Sequence, residues 1–222
     1  MLPTRLLADR TLFIDAEAMI VDKPAGLPVD APRDGALSVM NHLESLRFGF
    51  ERLPLIVHRL DRDTSGCLLL ARNPRIQKKL SQAFEDGSVE KTYLAMLDGV
   101  PDGDSGSIDC ALAKVSTRET GWRMVPDAKG QRAVTHWQLL ATREGQALVR
   151  FTPETGRTHQ LRVHAASGIG VPIVGDPVYG QSGAHMLLHA ESLSAPRTGK
   201  APVAARSPLP EHFPDWARDA LA

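Results

Sequence analysis

The sequence predicts a chain that mixes short strands with a few helices, compatible with an α+β fold, and three observations support that. Apolar runs of strand length recur from residue 12 to residue 190, divided by turns rich in Gly, Pro and Asp. Two stretches, 73–87 and 155–166, carry helical signals instead. At 222 residues, with 23% charged and 42% apolar side chains, the chain is long enough to bury a core and is composed like a globular protein rather than a disordered or membrane one. It shows no internal repeat and no linker, so residues 1–222 are expected to form one domain.

Taken in order, Leu12-Phe13-Ile14 and Met19-Ile20-Val21 read as two strands around an Asp-Ala-Glu turn. They lead into Asp22-Lys23-Pro24-Ala25-Gly26-Leu27-Pro28, stiffened by two prolines and a glycine. Ser38 caps a helix whose apolar residues Met40, Leu43 and Leu46 recur every three positions, ending near Gly49. Leu55-Ile56-Val57 and Cys67-Leu68-Leu69-Leu70-Ala71 read as buried strands holding a charged turn between them. Asn73-Pro74 starts a helix with Ile76, Leu80 and Phe84 on one face, and Gly87 stops it. Residues 91–97 alternate like a strand, with Tyr93, Ala95 and Leu97 on one side. Residues 98–107 read as a long acidic turn region. Strands at 135–139 and 147–151 flank an Arg-Glu-Gly turn. Residues 155–166 begin as a turn and continue as a helix capped by Thr155 or Thr158, with Leu161 and Ala165 inward and His159 and Arg162 sharing a face. A loop at 172–180, a strand or its edge at 185–190, a Pro-rich segment after Ala195 and a short helix from Pro214 complete the chain.

The densest chemistry lies in His58-Arg59-Leu60-Asp61-Arg62-Asp63-Thr64-Ser65-Gly66. Loops on rigid strands are where chemistry tends to sit, and a carboxylate flanked by Arg59 and Arg62 stays ionised at neutral pH, so Asp61 is the candidate reactive group. The plainer alternative is a surface ion-pair cluster on a hairpin. Gly103-Asp104-Ser105-Gly106 resembles protease motifs, but turn chemistry accounts for it. His159, His164, His185 and His189 lack the Glu and the spacing of a zinc helix, so no metal site is expected. Cys67 and Cys110 make neither a metal motif nor a disulfide framework, which favours a reducing compartment, and no run approaches a membrane span; a cytoplasmic protein is expected. The 26 basic and 26 acidic residues cancel, yet they segregate. Residues 52–79 hold seven Lys or Arg against Asp61 and Asp63, leaving room for a local basic face.

Together the segments resemble the RluA family of RNA pseudouridine synthases. The residues that carry the resemblance are Asp22-Lys23-Pro24-Ala25-Gly26-Leu27-Pro28, His58-Arg59-Leu60-Asp61 with Thr64-Ser65-Gly66, Lys91-Thr92-Tyr93, the run from Gly156 to His164, Gly175-Asp176 and Leu188-His189-Ala190, in the family's order from about Leu12 to Ala190. The resemblance is to short, single-domain members without an S4-type RNA-binding domain. It implies an α+β fold with a largely antiparallel mixed central sheet, flanking helices and an active site in a central cleft. It implies isomerisation of uridine in RNA to its C-glycoside, with Asp61 as nucleophile, Tyr93 as the family's tyrosine, Arg162 as the arginine that pairs with the aspartate, and Arg59 holding the target loop once the uridine has flipped out. His58, Arg62, Thr64, Arg157, His159, Gln160 and Lys23 are expected to contact substrate. Covalent capture divides the breaking of a stubborn glycosidic bond into two easier steps, and Tyr93 offers a flat face to the flipped uracil. An isomerisation needs no redox partner or group donor, so no cofactor is expected. The implied substrate is a single-stranded loop of ribosomal or transfer RNA, and the enzyme is expected to be a monomer.

Two features depart from the family pattern. Asp30 stands where many members have His, and the neutral net charge calls for a focused groove built from Arg59, Arg62, Arg72, Arg75, Lys78, Lys79, Arg157 and Arg162. The competing hypotheses are an RNA-binding module without chemistry and a protease or metal hydrolase. The presence of Asp61, Tyr93 and Arg162 together favours the enzyme over the first, and neither a partner for Ser105 nor a third ligand beside the histidines is evident for the second.

Overall fold

Most of the apolar runs become strands where the sequence predicts them, in a computed structural model that describes residues 7–32, 34–117 and 121–221. In chain order the elements are β1 (Thr11–Ile14), β2 (Ala18–Lys23), a 3₁₀ helix (Val39–Leu46), β3 (Leu55–Ile56), β4 (Ser65–Ala71), α1 (Pro74–Glu85), β5 (Glu90–Leu97), β6 (Ser105–Asp109), β7 (Leu112–Thr117), β8 (Gly121–Pro126), β9 (Val134–Arg143), β10 (Gln146–Pro153), α2 (Gln160–Val163), β11 (Leu188–Arg197), β12 (Lys200–Arg206) and α3 (Asp215–Asp219). The chain divides into two compact units, residues 1–91 with 190–208 and residues 92–189 with 209–222. Strands dominate both, and the class is α+β as expected. Among the described residues no helix is long and apolar enough to cross a membrane.

In the first unit β1 pairs with β2, β2 with β4 and β3 with β4, all antiparallel, and β11 lies beside β4 and pairs with β12. β2 and β4 are buried along their whole length, and cover on both faces is why they read as continuous apolar runs rather than alternating ones. Ile20, Cys67 and Leu69 pack with Leu80 and Val89, while Ile76 and Phe84 join the same cluster from α1. That helix starts as its sequence dictates: the Asn73 carboxamide oxygen accepts the Ile76 N–H at 3.0 Å, and Pro74 occupies the first turn, where its missing N–H costs nothing. The helix expected after Ser38 is a 3₁₀ helix, in keeping with a three-residue period, and Ser38 forms a capping box with Asn41. Its buried side is Val39, His42, Leu43 and Leu46; Met40, expected inward, is 49% exposed.

The second unit pairs β5 with β10, β10 with β9 and β9 with β6, again antiparallel, and carries a separate ribbon of β7 and β8. The alternation read in β5 is observed: Tyr93, Ala95 and Leu97 face a cluster with Val149, Phe151 and Leu161, while Leu94 and Met96 face Leu148 and Phe213. Between β9 and β10 the two turn residues Glu144 and Gly145 both take left-handed backbone (φ 55° and 77°), which matches the twist of the strands they join.

Four expectations need correction. The acidic turn region ends at Ser105, where β6 begins. The helix expected from 155 starts only at Gln160, because His159 is left-handed (φ 53°); it runs four residues and widens into a π turn over His164–Ile169, with Leu161 and Ala165 inward as expected. His159 and Arg162 therefore do not share a helix face. The strand expected at 185–190 begins at Leu188 and continues to Arg197, and the Pro-rich segment after it returns as β12; Pro196 falls at the register shift between Ala195 and Arg197, where a missing donor is tolerated.

Gly66 opens β4 at φ 105°, and a Cβ added there would lie 2.2 Å from the Ala190 carbonyl oxygen. Gly66→Ala is expected to lose at least about 2 kcal/mol of stability through backbone strain and the clash, lowering the thermal midpoint by about 4–8 °C. A melting curve unchanged by this substitution would show that β4 and β11 do not need the close approach.

Candidate active site

Two parts of the molecule hold the residues singled out by the sequence, one in each unit. The first is the loop from His58 to Thr64, between β3 and β4. Its anchor is Lys23, the last residue of β2, which is 0% exposed. The Lys23 Nζ donates to the carbonyls of Pro24 at 2.9 Å, Leu27 at 2.8 Å and Arg62 at 3.0 Å. An ammonium has three hydrogens, and burying it is tolerable when each finds an acceptor. Pro24 and Leu27 belong to the proline-stiffened loop, which bends back through a left-handed Gly26 (φ 81°). Burial pushes the Lys23 pKa down to about 7, against the pull of the Asp63, Asp61 and Asp22 carboxylates. Lys23 was expected to contact substrate; in the structure its three donors meet backbone carbonyls and fasten the loop.

Around this anchor the Thr64 N–H closes a turn on the Asp61 carbonyl at 3.2 Å, and the Thr64 side chain is buried. Asp61 and Asp63 are half-buried and Arg62 is exposed, its Nε reaching the Gly26 carbonyl at 3.3 Å. Arg59 turns outward to an ion pair with Asp30 at 2.9 Å, so the residue that departs from the family pattern meets the one expected to hold the target loop. Both partners are exposed, and such a pair is easily exchanged for phosphate contacts. His58 Nε2 accepts the Leu69 N–H at 3.0 Å, and its ring stacks on Phe84 at 4.4 Å between centroids. Burial, helped by the nearby Lys91 charge, pushes its pKa down to about 3 despite a hydrogen bond to the Arg59 backbone, and the ring is neutral at physiological pH. Of these two residues expected to touch substrate, the structure places His58 in a hydrogen bond to β4 and Thr64 buried in the turn.

In the second unit Arg162 is buried and forks onto Asp176, Nε to Oδ2 at 2.8 Å and Nη2 to Oδ1 at 2.7 Å. The Asp176 Oδ1 also accepts the Val178 N–H at 2.8 Å and the Tyr179 N–H at 3.1 Å. Burial pushes the Asp176 carboxyl up, but Arg162 and the two backbone donors outweigh it and hold its pKa below the usual carboxylate value. Tyr93 sits half-buried on β5 opposite Phe151. His159 Nδ1 lies 3.0 Å from the Tyr179 hydroxyl, and Arg157 is exposed with its Nε on the Arg132 carbonyl at 3.0 Å. Gln160, also expected to contact substrate, is buried: its Oε1 accepts from the Thr155 hydroxyl and the Arg157 N–H, and its Nε2 donates to the Val134 carbonyl and the Thr135 hydroxyl. With every hydrogen-bonding position used it ties α2 to β9. Thr155 accordingly serves Gln160 rather than capping a helix.

The expected basic groove is thinner than its list of residues. Arg72 points inward, its Nη1 donating to the carbonyls of Leu46 and Arg47 at 3.0 Å each while the guanidinium lies 4.1 Å from the Phe50 ring centroid. Arg162 is buried as well, whereas Arg59, Arg62, Arg75, Lys78, Lys79 and Arg157 are exposed. Sequence reasoning missed Asp176 as a functional residue, although Gly175-Asp176-Pro177 marked the position; nothing local announces that its partner lies fourteen residues earlier. Among the described residues no three His, Cys, Asp or Glu side chains are grouped to hold a metal ion.

Comparison with known proteins gives the family and the fold. Residues 17–167 match the family described as RNA pseudouridylate synthase. An uncharacterised RNA pseudouridine synthase of Zymomonas mobilis is 61% identical over 214 residues, covering 95% of this chain and 98% of that one. A ribosomal large subunit pseudouridine synthase C of Rickettsia bellii is 35% identical, covering 96% and 72%. Among solved structures, human RNA pseudouridylate synthase domain containing 4 superposes with a TM-score of 0.81 at 26% identity, covering 98% and 95%.

Two supports of the loop can be tested. For His58 the folded pKa lies below the unfolded value of 6.5, so the unfolded chain binds the extra proton at acid pH; the contribution is complete above about pH 6.5 and is lost as pH falls toward 3. Between pH 7 and pH 5 the protein should lose about 2 kcal/mol more than a His58→Gln variant does; parallel curves would place the imidazole in solvent. Lys23→Met leaves three carbonyls without a donor and should cost about 3 kcal/mol or more, a fall of about 6–12 °C in the thermal midpoint. A variant that melts with the wild type would remove Lys23 from the account.

Proposed function

Because the chain belongs to the RNA pseudouridylate synthase family, isomerases that convert uridine in RNA to pseudouridine, we propose that Asp61, on the loop fastened by Lys23, is the nucleophile of that conversion. The observation that carries this reading is the loop itself: a half-buried aspartate on a turn whose backbone is fixed by a buried ammonium, inside the segment that matches the family. In the reaction the bond between uracil N1 and ribose C1′ breaks, the base turns, C5 bonds to C1′, the C5 proton leaves and N1 takes up a proton. Asp61 attacks either C1′ or the uracil ring, or forms its adduct after a glycal, and in each case capture of an intermediate divides the barrier.

Tyr93 gives the uracil a flat neighbour and sets a hydroxyl near the C5 proton. Arg162, locked in plane by Asp176, supplies the fixed guanidinium of the reaction. The uridine is reached in a single-stranded loop, or flipped out of one, because a paired and stacked base presents neither C5 nor C1′. Arg59 exchanges Asp30 for the RNA backbone, and the exposed Arg62, Arg75, Lys78, Lys79 and Arg157 add phosphate contacts. No cofactor is required, since the reaction has no net redox change and no group donor. Residues 1–222 act as one catalytic domain; the family match running from 17 to 167 through parts of both units supports this. The protein works as a monomer in the cytoplasm. The name of the Rickettsia bellii relative puts ribosomal RNA first among the substrates, with transfer RNA second.

The reading is tested by tritium release from C5-labelled uridine in bulk ribosomal RNA and in bulk transfer RNA, each from cells lacking the gene. Release from one pool identifies the substrate class; silence in both with RNA still bound would leave an RNA-binding module without chemistry. Asp176→Asn should slow release by about 10–100-fold, as weakening the partner of a buried charge costs a few kcal/mol. A rate within twofold of wild type would mean that Arg162 needs no such partner.

A further inference from the structure

Tyr179 is the point at which three parts of the second unit meet. Its hydroxyl accepts the Met124 N–H of β8 at 2.9 Å and is within hydrogen-bond distance of His159 Nδ1 at 3.0 Å. The Arg162 guanidinium lies 5.2 Å from the centroid of its ring, and its backbone N–H donates to Asp176 Oδ1 at 3.1 Å. One residue thus touches the β7–β8 ribbon, the left-handed residue that opens α2, and both members of the buried Arg162–Asp176 pair. The ribbon answers from the other side, with Trp122 lying 4.9 Å from the His159 ring and Lys114 set 4.8 Å from Trp122.

These contacts divide the work on Arg162. Asp176 fixes the guanidinium in its own plane through the fork, but a fork alone permits rocking about the line that joins the two bonds. A ring set against the guanidinium resists that rocking by cation–π attraction and by bulk. The ring is held in turn at its far end, where the hydroxyl is pinned between a β8 amide and an imidazole. We propose that Tyr179 is a positioning residue for Arg162, holding the guanidinium at the angle the reaction needs and tying that angle to the docking of the β7–β8 ribbon through its hydroxyl. The proposal rests on the reading that Arg162 serves the reaction. Aromatic rings meet guanidinium groups elsewhere in this chain, as Phe50 does Arg72, without any such anchor at the ring's far end.

The test is a single-turnover rate at saturating RNA, with RNA affinity and the urea midpoint measured on the same preparations. Tyr179→Phe keeps the ring and loses the anchor, and should turn over about 5–10-fold slower, with affinity within twofold and a urea midpoint lowered by the lost Met124 bond but still that of a folded protein. Tyr179→Leu loses the ring as well and should be about 100-fold slower; if it proves unfolded, Tyr179→Phe decides alone. In an Arg162→Lys background, where no planar fork remains to be oriented, Tyr179→Phe should slow turnover no further. A wild-type rate for Tyr179→Phe, or a loss that multiplies in full with that of Arg162→Lys, would overturn the proposal while leaving Arg162 in the reaction. A wild-type rate for Arg162→Lys alone would instead remove the reading on which it rests.

Discussion

An ammonium group sealed from water and shared by three backbone carbonyls is the constraint on which the rest of the first unit depends. Lys23 reaches that position because β2 and β4 pair in a register that sets it opposite Gly66. Gly66 in turn lets β4 lie against β11 without a side chain between them. The two carbonyls supplied by the proline-stiffened loop come from residues only one and four positions along the chain, and the third, from Arg62, comes from the loop that carries Asp61. An uncompensated buried charge would be prohibitive, so the three acceptors and the ammonium fix one another. His58 adds a hydrogen bond to the Leu69 N–H, and the Thr64 N–H closes a turn on the Asp61 carbonyl.

The second unit solves a related problem with different chemistry. Arg162 is buried like Lys23, but its planar fork meets a carboxylate, and that carboxylate is itself held by two backbone N–H groups. A guanidinium bound at both ends of its fork keeps an orientation as well as a position, which a lysine among carbonyls does not need to do. Each unit therefore holds its candidate residues on backbone fixed by a buried cation, Lys23 by three carbonyls and Arg162 by a carboxylate. Exposed charge remains in Arg59 with Asp30 and in Lys78 and Lys79 of α1.

The elements legible in the sequence are those whose signals are local. Asn73-Pro74 announces α1, Glu144-Gly145 the β9–β10 turn, and the alternation around Tyr93 the two faces of β5. The β7–β8 ribbon was not legible because it buries little: Leu112 and Met124 are its only buried residues among those described, so no alternation arises. The helix expected from 155 failed on a single left-handed residue, His159, that no propensity would assign. The activity class was legible as a set of motifs, and the family they resemble is the one the comparisons show. What the motifs do not tell is the direction a side chain faces. Lys23, His58, Thr64 and Gln160 all stand in the motif segments, yet the first two and Gln160 bond to the protein's own backbone and Thr64 is buried, while Asp176 declares its part only once its partner Arg162 is known.

The most direct test of the account is to measure RNA binding and tritium release together for Asp61→Asn. The substitution keeps the size and shape of the side chain, replaces one acceptor oxygen with an amide NH2 and removes the nucleophilic charge. The account predicts RNA affinity equal to wild type and release no greater than that of the uncatalysed control. Release within about tenfold of wild type, a change of only about 1.4 kcal/mol in the barrier, would contradict it and assign the chemistry to another residue.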